Sequence, residues 1–127
     1  MKKREKGFFY RADGYKEVDL LHSARDHLDA ARWLFASHPN FLDSAGYLSH
    51  LGIELILKAF LLHRDGKFPK EHSLAELLRD APITLHPMFD ETITLLDGFE
   101  QLRYPIPKPK RAGMLGEIGM RIGATFT

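Results

Sequence analysis

From Ile53 to Leu62 the chain reads Ile-Glu-Leu-Ile-Leu-Lys-Ala-Phe-Leu-Leu, apolar on nearly every side when wound as a helix. A helix without a polar face must be covered by several neighbours, so this segment is expected at the centre of the fold with other elements around it. The run is interrupted by Glu54 and Lys58 and is about half of the roughly 20 residues that a membrane span requires, so no bilayer crossing is expected. Asn40 and Asp43 are both suited to cap its start, and Asp65-Gly66 reads as its stop.

The flanking segments carry helical patterns of their own. Leu21, Ala24, Leu28, Ala31 and Phe35 recur at alternating threes and fours, with Asp19, Ser23, Asp26 and Ala30 opposite, which predicts an amphipathic first helix. Pro39 should end it, since proline lacks the amide hydrogen and disfavours helical geometry in the residue before it. Ser73 followed by Glu76 is a capping-box pattern opening a short third helix, which Pro82 should close. A fourth helix is expected from about Pro87 to Tyr104-Pro105, with Met88, Thr92, Leu95, Phe99 and Leu102 on one stripe. Residues 105–111 alternate prolines with Ile106, Lys108 and Lys110 and read as an extended linker. A weak last helix follows from Ala112 to Arg121, diluted by Gly113, Gly116 and Gly119. Residues 1–15 are expected as an N-terminal arm, strand-like only over Gly7 to Tyr10, and the basic run before them as a solvated tail. The expectation is one all-α domain over residues 1–127, an antiparallel up-and-down bundle of four to five helices. The glycine-rich close at Thr125-Phe126-Thr127, without cap or charged tail, fits a longer parent chain.

Composition narrows the chemistry. Eighteen Lys and Arg against 17 Asp and Glu leave a net charge of +1, which supplies no global field to hold nucleic acid or an anionic membrane. With no cysteine, a disulfide framework, a zinc-thiolate site and a thiol nucleophile are excluded, which fits a cytoplasmic protein. No secretion signal is read at the N-terminus, because Arg11 and Asp13 break the apolar stretch begun by Phe8, Phe9 and Tyr10.

Tyr47 to Leu62, then Gly66, Pro69, His72 and Leu74, resemble the HEPN domain family. That family's central helix carries an apolar residue and Glu, then an apolar residue with Lys-Ala, which Ile53-Glu54 and Lys58-Ala59 match. A Gly/Pro turn and a His-x-Leu helix start follow, matched by His72-Ser73-Leu74. The first helix around His27 to Leu34 and the segment Leu102-Arg103-Tyr104-Pro105 also sit in the family's order. The resemblance implies a helical bundle that dimerises through helices. It also implies one of three roles: a metal-independent ribonuclease, a partner of a small nucleotidyltransferase in a two-gene toxin and antitoxin module, or a non-catalytic binding module.

The ribonuclease members carry an arginine and, four to six residues on, a histidine. Such a pair supplies an imidazole for proton transfer and a guanidinium for phosphate charge. Arg32 with His38 and Arg79 with His86 fit the spacing, but nine arginines and seven histidines produce about 1.5 such pairs by chance. Arg103 occupies the family's arginine position, yet Lys108, Pro109 and Lys110 stand where the histidine belongs. Catalysis of the usual kind is therefore not expected. The ligand-binding candidates are Arg103, Tyr104, Lys108 and Lys110, with Tyr104 able to stack on a base, and Lys58, able to grip a phosphate. Against that role, Glu54 and Lys58 stand four apart in the order that favours a structural ion pair. Trp33, off the main apolar stripe, is read as a dimer contact, and His50 as core packing or a dimer contact. No two histidines are placed on one helix face at metal-binding spacing, so no metal and no cofactor is expected. The function expected is binding of a nucleotide, an RNA or a cognate nucleotidyltransferase by a homodimer. An atypical ribonuclease using Arg103 and a purely structural dimerisation module are the alternatives.

Overall fold

The computed structural model describes residues 7–81 and 83–100. The described chain is mostly helical, with strand β1 (Phe8–Tyr10), helix α1 (Glu17–Ser37), helix α2 (Leu42–Asp65), strand β2 (Lys67–Pro69), helix α3 (Leu74–Asp80) and helix α4 (Asp90–Glu100). Single 3-10 turns precede α1, α2 and α4. The expected last helix, the linker over 105–111, the end of the fourth helix at Tyr104 and the basic run before Gly7 lie outside the described residues.

Helix α2 is the central element, flanked by α1 along its length and by α3, α4 and β2 on its other sides. It is long and apolar enough to cross a membrane by length and composition alone, but most of that stretch is buried inside the protein, as befits a core helix. Leu57, Leu61 and Leu62 of α2 meet Phe68 of β2, Leu74 and Leu77 of α3, and Ile93, Leu96 and Phe99 of α4 in one hydrophobic core. Cover is incomplete, because Phe60 remains 45% exposed where it lines a shallow pocket with the exposed Leu21 of α1.

The helix ends follow local chemistry. Gly66 closes α2 at φ 72°, a left-handed conformation that glycine adopts without a Cβ clash, and its amide donates to the Leu62 carbonyl at 2.8 Å. The Arg11 side chain adds a second donor to that carbonyl at 2.7 Å. The start of α2 departs from expectation: Phe41 is the capping residue, and neither Asn40 nor Asp43 supplies a side-chain cap. Helix α1 begins at Glu17, four residues before the apolar stripe, where Glu17 and Asp19 favour the positive helix start. At α3 the Ser73 Oγ accepts from the Glu76 amide at 3.3 Å, and Ala81 turns extended as the residue before a proline should.

Two expectations are corrected. Residues 67–69 were expected as a turn, but they pair with 8–10 in an antiparallel two-stranded sheet, Phe9 opposite Phe68. The pairing is fastened by aromatic packing, with Phe9, Tyr15 and Phe68 at centroid separations of 4.9 to 5.4 Å. In α4 the buried residues are Ile93, Leu96 and Phe99, and Met88 lies exposed in the preceding turn. The expected stripe holds at Phe99 and, partly buried against the core, at Leu95, while the other buried positions, Ile93 and Leu96, lie one residue on from Thr92 and Leu95.

A candidate polar centre between α2, α3 and α4

On α2 the residues His50, Glu54 and Lys58 stand four apart and share one face. That face turns inward, so all three are buried. Lys58 is 4% exposed and donates to Glu54 Oε2 at 2.9 Å, with its Nζ 5.8 Å from the Phe68 ring centroid. Glu54 also takes His72 Nδ1 at 3.3 Å on Oε2 and has His50 Nδ1 at 3.7 Å from Oε1. The other nitrogen of His50 lies 3.0 Å from Asp97 Oδ1. A neutral imidazole carries a single N–H and donates to one of the two carboxylates only.

Asp97 joins this centre to α3. Its carboxylate accepts from the Leu74 amide at 2.6 Å, the Ala75 amide at 3.1 Å and the Ser73 hydroxyl at 3.2 Å. Those amides are among the donors that a helix start leaves without intrahelical partners. One carboxylate from α4 therefore caps α3 and holds the α2 imidazole. Sequence reasoning missed Asp97. The available signal was an acid flanked by the buried Leu96 and Phe99, facing a helix start that needs acceptors.

Two candidate roles are corrected by burial. Lys58 was a candidate for gripping a phosphate at the bundle surface, but its ammonium is interior and engaged with Glu54. His50 was a candidate dimer contact, but it is 2% exposed within a single chain, leaving the packing role. Both alternatives were open because an apolar helix gives no rotational reference for its few polar residues, and the structure holds the readings set against them, the Glu54–Lys58 ion pair and the packing of His50. Trp33 is 59% exposed, its ring 4.7 Å from His38, which in turn lies 5.9 Å from Phe41. The candidates Arg103, Tyr104, Lys108 and Lys110 lie outside the described residues.

The two chance-spaced pairs do not form acid–base sites as placed. His38 packs between Trp33 and Phe41. Arg79 pairs with Glu76 at 2.9 Å, while His86 Nδ1 accepts from the Met88 amide at 3.1 Å. The Glu17 carboxyl is held below the ordinary range by a backbone hydrogen bond and then by Arg11, and Asp65 is lowered by its hydrogen bond from Arg64.

The near-zero net charge conceals a partition along the chain. Residues 7–100 carry nine Lys and Arg against fifteen Asp and Glu, a formal −6, while 101–127 carry five against one and 1–6 carry four against one. Cations suited to an anionic ligand are thus concentrated at the two ends.

In comparison with known proteins, the family model of the HEPN domain matches residues 18–114, about three quarters of the chain. No curated protein and no solved structure matches.

Proposed function

This chain belongs to the HEPN domain family, and from that premise we propose that it acts by binding a nucleotide, an RNA or a cognate nucleotidyltransferase rather than as a ribonuclease of the usual kind. The observation that carries this reading is the mutual engagement of His50, Glu54, Lys58 and Asp97, which commits the buried polar groups to structure. The anionic ligand is taken by Arg103, Lys108, Lys110 and Arg111, with Tyr104 stacking on a base. The exposed ring of Trp33, packed on His38, supports self-association as a homodimer. The setting is cytoplasmic, within a two-gene toxin and antitoxin module.

Light scattering run together with a thermal-shift titration of ATP, GTP and a short RNA tests this. A dimer with a ligand-dependent shift, reduced in Arg103→Ala, is expected. No shift with any ligand, together with no nucleotidyltransferase encoded beside the gene, overturns it.

A second reading has one observation in its favour. His72 is half-exposed and its Nδ1 is held by the buried Glu54 carboxylate, the arrangement that orients a general base. With Arg103 it would make an atypical, metal-independent ribonuclease. RNA cleavage by the wild type that vanishes in both His72→Gln and Arg103→Ala favours it, and equal residual cleavage in all three marks contamination.

A further inference from the structure

The negative charge of the described body is concentrated in the last third of its sequence. Between Lys70 and Glu100, the stretch that holds α3 and α4, stand seven acids and two bases. The same two helices frame an open groove of about 430 Å³, with Leu78, Ile83, Leu85 and Ile93 as its apolar lining and Arg79 and Asp90 among its polar groups. Near it the chain also exposes Met88 and Phe89. An apolar groove between two acid-rich helices fits a segment that is both basic and apolar.

Such a segment follows α4 directly. Residues 102–122 hold Arg103, Lys108, Lys110, Arg111 and Arg121, and then Leu115, Ile118 and Ile122 at the three- and four-residue spacing of an amphipathic face. Length permits the return: α4 measures about 16 Å at 1.5 Å per residue. Ten extended residues cover roughly 33 Å, so Leu115 can come back beside Asp90 and Ile93. The matched family domain also continues through residue 114, fourteen residues past Glu100.

We propose that the groove between α3 and α4 is the seat of the chain's own C-terminal segment, residues 102–122, whose apolar face enters the groove while its cations lie over the acids of α3 and α4. Docking there places Arg103 to Arg111 against the body's own carboxylates, so the segment that offers cations to an anionic ligand is held by an internal competitor. The docking itself requires no such ligand and stands apart from the binding role.

The absence of native cysteines makes the test direct. In the full-length chain, Thr94→Cys in the groove is paired with Glu117→Cys, and Asp26→Cys on α1 with Glu117→Cys serves as the remote control. The groove pair is expected to form an intramolecular disulfide at least about tenfold faster than the control. One molar salt should slow it by screening the charges, and so should Leu85→Asp, a change at a part-exposed position whose retained fold is checked by circular dichroism. Equal rates for the two pairs overturn the proposal, and so does a fast groove pair indifferent to Leu85→Asp. A disulfide that forms only between molecules, with a rate rising with concentration, overturns self-docking in favour of a second copy's segment.

Discussion

At the residue scale, Glu54 decides the character of the centre. It faces Lys58, His72 and His50 at once, so its removal strands a buried ammonium. Breaking a buried pair by deleting one partner costs about 3–5 kcal/mol, whereas exchanging both for apolar residues of similar volume is close to neutral. Glu54→Leu is therefore expected to lower the urea midpoint severely, and Glu54→Leu with Lys58→Met to recover most of the loss. A double variant no better than the single one would show that Lys58 does not depend on Glu54. Asp97 carries a different burden, since three donors at the start of α3 converge on it and the His50 imidazole of α2 faces it. Asp97→Ala leaves amides at the start of α3 unsatisfied and should cost about 2–3 kcal/mol, the scale of losing charge-assisted hydrogen bonds. The loss should fall first on α3, read as faster hydrogen exchange at Leu77 and Leu78 than at Leu57. Uniform acceleration along the chain would deny Asp97 its place as the cap.

At the element scale, the approach of α4 to α2 is set by one missing side chain. A Cβ on Gly46 would stand 2.1 Å from the Phe99 ring, and Phe99 is fully buried at the end of the core. Overpacking of this kind costs typically about 1–3 kcal/mol. Gly46→Ala should thus destabilise, and Phe99→Leu added to it should cost less than Phe99→Leu alone costs the wild type, a coupling that a double-mutant cycle in urea measures. Additive effects would mean that the two positions do not meet. This contact also marks the limit of what was legible in the sequence. The central helix, its glycine stop and the Ser73 cap could be read because each depends on residues within a turn or two of one another. The pairing of β1 with β2 could not, since three-residue strands carry almost no periodic signal and Phe9 meets Phe68 across 59 residues. The stripe of α4 was read only in part, and Asp97 was missed for a related reason: it meets the start of α3 and His50, partners that no local pattern reveals. On α2 the four-residue spacing let Glu54 and Lys58 be read as a structural ion pair, while the absence of a rotational reference left open a surface role for Lys58 and a dimer contact for His50.

At the scale of the whole molecule, the N-terminal strand is held to the body through Arg11, whose guanidinium reaches Glu17 at the head of α1 and the Leu62 carbonyl at the end of α2. Its backbone amide also donates to Gly66 at 2.9 Å. The start of α1 and the end of α2 are thereby joined through one cation. The Glu17 carboxyl titrates below its ordinary value because of its backbone hydrogen bond and Arg11, and Asp65 does so because of Arg64. For a carboxyl whose folded value is depressed, the stabilisation is present above the unfolded value near 4 and is lost as pH falls through the folded value. Both groups are solvent-exposed, so salt weakens the effect. The melting temperature should fall between pH 5 and pH 3 in low salt, and Glu17→Gln with Asp65→Asn should shrink that fall while lowering stability at pH 7. The acidic body works in the opposite direction, since fifteen acids against nine bases repel one another at neutral pH and this strain eases on protonation. Raising salt at pH 7 separates the two effects, because it relieves the repulsion while weakening the Arg11 and Arg64 pairs. If the double variant loses as much stability as the wild type between pH 5 and pH 3, the acid sensitivity resides elsewhere, and the junction at Arg11 is held by its bonds to the Leu62 and Gly66 carbonyls.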